Sequence, residues 1–568
     1  MRQRHSAAWI TRVKTLGVWV APVLFLGVFF FYPLAAIFRL AGEMALEQGL
    51  SPLMWAKVWR PLSFTFWQAA LSTLLTVIVG LPAAYVFGRF TFPGKRAMRV
   101  LTTLPFILPT VVVAAGFNAL LGGRGWVNLL LMRWMAVSEP PLQIMQSLQA
   151  IVLAHVFYNT TIVIRVVGQA WAQLDPRLEQ AGRSLGASPL RNLWEVTLPL
   201  LRPAILSAGL LVFLFDFTSF GVILLLGGPR FATLEVEIYI QALQRLNLPL
   251  AGLLSAIQLI CTLLMMAVYT RLAVRSGHIP LSPWLHGEGT RSPRGWRERL
   301  LVGGMTLVLI MLLVSPLVAL GVRSITRLEA GRGERSSVMP GLTLDYYREL
   351  FQNRRLSRFY VPPLLAARNS LLAASGTVAL SLPLGFLAAY GLARRSSFSR
   401  QMEAVLMLPL GASAVTLGLG FLVVFTRPPL DVRNFPFLIP IAHSLVALPF
   451  VVRALQPALV SIPVGLRQAA AALGASPWQV WRYVDLPILS RAVLVAIIFS
   501  FTISMGEFGA TTFLSRPEMP TLPVAIFRFL SQPGGLNYGQ AMAMATLLML
   551  VCGCGIVLLE KLGTHGRD

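Results

Sequence analysis

The sequence predicts an all-α polytopic membrane protein of twelve transmembrane helices, arranged as two parallel six-helix repeats. Three observations carry this expectation. Of 568 residues, 56% are hydrophobic and 12% charged, about half the charged share of a soluble chain. Twelve segments are apolar over the ~20 residues that a helix needs to cross a bilayer. An internal repeat relates the two halves, at a constant offset of 288 residues from His155 and His443 onward and with weaker matches upstream, as in Ala83-Ala-Tyr85 with Ala388-Ala-Tyr390. The formal charge of +26, from 48 basic and 22 acidic residues, would suit a polyanion binder on a hydrophilic scaffold. A mean hydropathy of +0.70 removes that scaffold, so nucleic acid is not an expected partner. Disorder is excluded for the same reason. Cys261, Cys552 and Cys554 lie in apolar runs, and neither a disulfide framework nor metal-ligand spacing is present.

Ten segments are free of Asp, Glu, Lys and Arg: Leu16–Phe38, Pro61–Gly88, Val100–Gly123, Ile144–Ile164, Leu246–Thr270, Leu300–Val322, Asn369–Ala393, Ala404–Thr426, Asn434–Val452 and Phe529–Leu559. Two more, Pro203–Pro229 and Ala492–Ser515, each hold one acid, Asp216 and Glu507. The first span is too long for the apolar region of a signal peptide and lacks a small-residue cleavage site. Arg2, Arg4, Arg12 and Lys14 precede it, which predicts a cytoplasmic N-terminus. Alternation then leaves 27 basic residues inside, 20 outside and Arg165 within a span, with both termini cytoplasmic. Nine of the external 20 crowd into the loop Arg323–Arg368, against the rule.

The chain accordingly divides into a tail, first span and external loop (1–60) and a first transmembrane domain (61–274) with a cytoplasmic loop at 172–202. A polar linker (275–299) and a seventh span with its external loop (300–368) follow. A second transmembrane domain (369–559), with its loop at 460–490, and a tail (560–568) complete it.

The repeat is strongest in those two loops. Glu179–Pro203 and Arg467–Arg491 share eleven of 25 positions. Gln180-Ala181-Gly182 corresponds to Gln468-Ala469-Ala470, and Gly186-Ala187-Ser188-Pro189 to Gly474-Ala475-Ser476-Pro477. Leu198-Pro199 corresponds to Leu486-Pro487, His155 to His443, and Phe220-Gly221 to Phe508-Gly509. Six spans per half give both repeats the same orientation, related by an axis along the membrane normal. Each loop reads as a short helix, a glycine turn, a serine cap and a proline that opens a second short helix. Leu190, Leu193, Val196 and Thr197 form a partly apolar stripe there, as do Trp478, Trp481 and Val484. Such a short helix is marginal alone, and its apolar face needs a groove. Two equivalent loops imply two equivalent docking sites.

These loops resemble the EAA motif of the type I permeases of ABC importers: Glu-Ala-Ala, three residues, Gly, nine residues, then Ile-x-Leu-Pro. Gly186 and Gly474 are each followed by nine residues and then Val196-Thr-Leu198-Pro199 or Val484-Asp-Leu486-Pro487. The motif's Glu is Gln in both copies, Gln180 and Gln468, with Glu179 one residue away in the first. The fused two-repeat form is similar to the ferric-iron and thiamine permeases, in segments such as Leu104-Pro-Phe-Ile-Leu-Pro109, Leu226-Gly-Gly-Pro229 and Gly506-Glu-Phe-Gly509. The resemblance implies a permease in a prokaryotic inner membrane that moves a small solute, such as iron(III) or thiamine, inward by alternating access. Its implied partners are two copies of an ABC ATPase at the loops and an external, periplasmic solute-binding protein. ATP would be bound by those ATPase subunits, because this chain has no Gly-x4-Gly-Lys-Ser/Thr. No catalytic residue is expected.

A carboxylate inside a span is functional by default, so Asp216 and Glu507 are candidates for the translocation path. Their repeat counterparts, Ser504 and Ser219, join them. His155 and His443 suit helix-to-helix hydrogen bonds better than metal ligation. The external segments Thr233–Tyr239 and Thr521–Phe527 are candidates for an outer gate or a dock. The competing class is a twelve-span secondary transporter driven by an ion gradient. That class needs several paired midplane charges and leaves the two loops unexplained.

Overall fold

The computed structural model describes residues 17–49, 51–228, 230–276, 290–327, 341–352, 362–394, 397–425, 431, 435 and 437–564. The basic residues before the first span, Pro229, most of the linker and much of the basic loop lie outside them. Among the described residues ten helices are long and apolar enough to cross a membrane, and two bent helix pairs bring the total to twelve if each pair is one span.

In the first half, α1 (Tyr32–Gln48) follows a π turn, and α2 (Pro52–Arg89) is the second span. The third is bent by 105° between α3 (Lys95–Ile107) and the pair α4 (Thr110–Leu121) and α5 (Trp126–Met135). Then come α6 (Leu148–Gln173), the loop helices α7 (Pro176–Ser184) and α8 (Pro189–Asn192), and the fifth span α9 (Leu198–Phe217). Short helices α10 (Gly221–Leu226) and α11 (Leu234–Tyr239) lead to α12 (Leu248–Ser276).

The second half repeats this order. It runs α13 (Trp296–Ser324), strands β1 (Thr326–Arg327) and β2 (Gly341–Leu342), α14 (Asp345–Arg348), and α15 (Pro363–Ala393). The bent span α16 (Ser397–Gly411) and α17 (Ala414–Val424) follows, at 92°. Beyond it lie α18 (Leu438–Ser461), α19 (Val464–Ala472), α20 (Pro477–Val480), α21 (Leu486–Gly506), α22 (Gly509–Leu514), α23 (Leu522–Leu530) and α24 (Gly535–Thr564).

The structure corrects four of the expected spans. Val100–Gly123 and Ala404–Thr426 are not continuous helices, because Pro109 and Ser413 sit extended at the bends. Pro203–Pro229 and Ala492–Ser515 also break, after Phe217 and Gly506, and their helices start earlier than hydropathy suggests, at Leu198 and Leu486. Hydropathy registers apolar content, which continues through a break, and is blind to the backbone direction.

Packing within each half centres on one pair, α2 against α6 and α15 against α18. Glycine allows the close approach that membrane helices rely on. A Cβ on Gly80 would lie 2.6 Å from Val163 Cβ, and its counterpart on Gly385 would collide with Val451. The first span of each half reaches across to the other: α1 lies against α12 of its own half and α17 of the other, and α13 against α24 of its own half and α4 of the other. These crossings are also reciprocal. A Cβ on Gly116 would come within 2.9 Å of Pro316 O, and one on Gly420 within 2.9 Å of Pro33 Cβ.

Part of the basic loop has a structural account. Arg323 is buried, donates to Thr326 O at 3.3 Å and lies over the Tyr538 ring at 5.2 Å. Strands β1 and β2 pair antiparallel, α14 follows, and Tyr346 on α14 fills the space over Gly539.

Replacing Gly80 or Gly385 with Val should cost about 1–3 kcal/mol through overpacking. A lower melting temperature of the purified chain in detergent is the expected reading.

Candidate functional site

The two loops have the same backbone. Gly186 and Gly474 adopt φ of 83° and 84°, which a side chain would strain. Ser188 Oγ then accepts from Arg191 N at 3.2 Å, and Ser476 Oγ from Gln479 N at 3.3 Å, with Pro189 and Pro477 at the first helical position. Each second helix passes through a π turn, Leu193–Thr197 and Trp481–Asp485, into the fifth span. The wide turn rotates the helix faces, so the expected stripes do not stay on one side. Leu190 and Trp478 are exposed, Thr197 is buried, and Leu193, Val196, Trp481 and Val484 are half-buried. The most outward apolar side chains are Leu185 and Leu473, equivalent in the repeat and both 89% exposed. Sequence reading missed them because they fall in the turn between the short helices.

Inward contacts differ between the loops. Glu179 pairs with Arg89 at the end of α2 and accepts from Thr197 Oγ1 at 3.2 Å. At the same two repeat positions, Arg467 pairs with Asp485 at 2.7 Å. Asn192 Nδ2 donates to Glu179 O at 2.9 Å. Its Oδ1 occupies the space where a Cβ on Gly182 would be. The second loop has Ala470 and Val480 there. Glu179 therefore faces the bundle and does not stand in for the motif's Glu. Gln180 and Gln468 are both exposed.

Deeper in the bundle, the four path candidates gather around the two histidines. His155 contacts Ser72 Oγ through Nδ1 at 3.0 Å, Ser219 Oγ through Nε2 at 2.9 Å, and Asp216 Oδ1 at 3.4 Å. Asn159 Nδ2 donates to Asp216 Oδ1 at 2.7 Å. His443 contacts Ser504 Oγ at 2.7 Å, Thr511 Oγ1 at 2.7 Å and Glu507 Oε2 at 3.1 Å. The halves thus exchange places: the acid sits at 216 in one and at 507 in the other, with serine at the remaining position. Asp216 is fully buried and Glu507 is 8% exposed.

Glu507 also holds a helix end. Its carboxylate accepts from Ala510 N at 2.8 Å and Thr511 N at 2.9 Å, satisfying the first amides of α22. In the first half the rescue is on the carbonyl side, where Gln68 Nε2 donates to Asp216 O at 2.9 Å. A further matched pair ties down the segments read as external: Leu234 N donates to Thr65 Oγ1 at 2.9 Å, and Leu522 N to Ser370 Oγ at 2.7 Å.

Among the described residues three buried acids escaped the sequence reading, Glu235, Glu349 and Asp431. Glu235 on α11 lies in a segment read as external loop, yet it is fully buried and accepts from Gln258 Nε2 at 2.8 Å. Burial pushes its carboxyl up to about 8, against hydrogen bonds that act the other way, so it carries its proton at neutral pH. Among the described residues no group of three His, Cys, Asp or Glu side chains is placed to hold a metal ion.

Glu507→Ala should lower stability by about 1–2 kcal/mol through loss of the cap. Asp216→Asn keeps an acceptor for Asn159, so its melting temperature should stay closer to wild type. Glu235 has a folded-state value above its ordinary 4.5, so its contribution makes stability fall as pH rises from about 4.5 to about 8. Glu235→Gln should remove that slope, matching wild type in melting temperature near pH 5 and exceeding it at pH 8.

Comparison with known proteins places this geometry. The chain is 26% identical over 551 residues to the thiamine transport system permease protein ThiP of Salmonella typhimurium, covering 93% of this chain and 95% of that one. It is 26% identical over 568 residues to ThiP of Haemophilus influenzae, covering 97% and 95%. A probable ABC transporter permease protein of Sinorhizobium fredii, y4fN, is 25% identical over 541 residues, covering 93% and 92%. A solved bacterial alginate ABC transporter aligns at 16% identity and a TM-score of 0.38, covering 48% of this chain and 97% of that one. The family model for the binding-protein-dependent transport system inner membrane component matches twice, at residues 76–276 and 381–561. With the model matched once in each half and the two loops at equivalent positions, the chain belongs to that family, as the permease component of an ABC importer for a small solute.

Proposed function

We propose that this permease carries thiamine, or a close thiazolium relative, inward across a prokaryotic inner membrane, with both termini cytoplasmic. Two copies of a separate ABC ATPase drive it, and an external, periplasmic solute-binding protein delivers the solute. The observation that carries the reading is the pair of matched loops. Leu185 and Leu473 stand out at the same place in each repeat, with Leu190 and Trp478 beside them. An exposed apolar side chain on a short capped helix is the anchor that a groove in a partner receives.

The loops are also built to transmit force. Each continues through its π turn directly into a fifth span, α9 or α21, whose far end is the break beside His155 or His443. Closure of the ATPase dimer on ATP draws the two loops together. The helices carry that displacement to the breaks, and the halves rock to open the path outward. Hydrolysis lets the loops part and restores the inward-facing state. An ion-driven secondary transporter has no use for two docking loops. Thiamine is favoured as the solute by similarity to the Salmonella and Haemophilus permeases along nearly the whole chain.

The test is co-expression with the candidate ATPase and binding protein. Two ATPase copies should co-purify with each chain, and Leu185→Asp with Leu473→Asp should abolish the association while the chain still purifies as a monodisperse species. Proteoliposomes holding the assembly should accumulate labelled thiamine only with ATP and the binding protein. Uptake by the purified chain under an ion gradient, without ATPase, overturns the importer mechanism.

A further inference from the structure

A residue that touches its own repeat counterpart must lie on the axis relating the two repeats, as in any isologous contact. Phe220 and Phe508 do so. They are 288 apart, and their rings stack with centroids 5.6 Å apart and planes 22° from parallel. The pair is flanked by a second equivalent pair. Tyr239 packs on Phe220 at 5.6 Å, and Phe527 on Phe508 at 5.4 Å. Both central rings are buried. Four aromatic rings therefore form a closed row across the centre of the molecule, where the two halves meet.

The mounting of the two central rings sets how this row can open. Phe220 follows Ser219, which is hydrogen-bonded to His155 of its own half. Phe508 follows Glu507, which is held by His443 and Thr511 of its own half. Each ring also sits at a helix break, between α9 and α10 or between α21 and α22. The glycine after each ring leaves no spare room. A Cβ on Gly221 would collide with Thr110, and one on Gly509 would lie 2.9 Å from Ala414 Cβ. Each ring is thus held by its own half, and the contacts that yield when the halves rock apart are the stack between them and the neighbouring edge contact of Tyr239 with Phe513.

We propose that the Phe220–Phe508 stack is the gate on the translocation axis and that its parted faces form a transmembrane binding site for a flat aromatic cation. Two parallel π faces accept a planar ring by stacking and favour positive charge through the negative face of each ring. Tyr239 and Phe527 wall the opening. The carboxyl groups of Asp216 and Glu507 lie in the polar clusters behind the rings. The ligand class rests on the importer reading above, because thiamine joins a thiazolium cation to an aminopyrimidine ring. The gate itself does not.

Two experiments on the assembled importer, with its ATPase and binding protein in proteoliposomes, separate these points. In a chain with Cys261, Cys552 and Cys554 replaced by Ala, Phe220→Cys with Phe508→Cys should cross-link with a short bis-thiol reagent in the resting state. The yield should drop several-fold when the ATPase is trapped with ATP and vanadate, and prior cross-linking should block uptake. Equal yield in both states, or uptake through the cross-linked pair, overturns the gate. For the site, Phe220→Leu with Phe508→Leu keeps apolar bulk without a π face and should raise the KM for labelled thiamine roughly ten-fold, as expected for lost stacking. Phe220→Tyr with Phe508→Tyr should restore it. An unchanged KM in the leucine variant, or no rescue by tyrosine in a variant that melts like wild type, overturns the aromatic site. Wild-type assembly that couples ATP hydrolysis to its binding protein but takes up no thiamine overturns the ligand class, and the cross-linking result still decides the gate.

Discussion

A helix that breaks within a membrane bundle frees peptide groups that lipid cannot satisfy, and every such group must find a partner inside the protein. That constraint organises this structure. The fifth span of each half ends early, and the freed groups are met by side chains: Glu507 on the amides of α22, Gln68 on the carbonyl of Asp216. The histidines then tie these breaks to neighbouring helices. His155 reaches Ser72 on α2, and His443 reaches Ser504, which in turn meets Thr377 on α15. With the breaks secured, the chain can turn at the centre of the bundle and bring Phe220 onto Phe508.

The two halves solve the same problem with different residues, and the differences are compensated locally. An acid at 216 with serine at 219 is replaced by serine at 504 with an acid at 507, so from these two positions each histidine keeps one carboxyl and one hydroxyl partner. In the loops, Glu179 with Thr197 is replaced by Arg467 with Asp485. Gly182 with Asn192 is replaced by Ala470 with Val480, since the amide needs the volume that a methyl would fill. Backbone geometry is retained while the side chains that secure it change. Two copies within one chain are free to diverge in this way because each pairs with its own surroundings.

Function follows from the placement of rigid and yielding contacts. Tight glycine contacts bind α2 to α6 and α15 to α18, so each half moves as a body. The first spans cross over and hold the halves in one molecule at its periphery. The loops hand displacement to the fifth spans, whose inner ends carry the axial rings. A small movement at the loops is thereby converted into separation at the centre.

The membrane class, the two parallel repeats, the loops with their glycine turns and serine caps, and the residues around which the polar clusters form were legible in the chain before any folding. These are properties of composition, local backbone chemistry and a constant offset, all of which are linear in the chain. The offset also placed Asp216 against Ser504 and Glu507 against Ser219, which the structure joins around equivalent histidines. Tertiary structure decided the rest. The Phe-Gly pairs at 220 and 508 mark where each fifth span can open, but hydropathy runs on through the breaks after Phe217 and Gly506, and their rescuers, such as Gln68, come from another helix. The outward reach of Leu185 and Leu473 depends on the path of the turn, and the inward commitment of Glu179 depends on Arg89, ninety residues away. The burial of Glu235 depends on α12 lying over it. The contact of Phe220 with Phe508 needs the axis itself, which exists only once two similar halves have folded against each other.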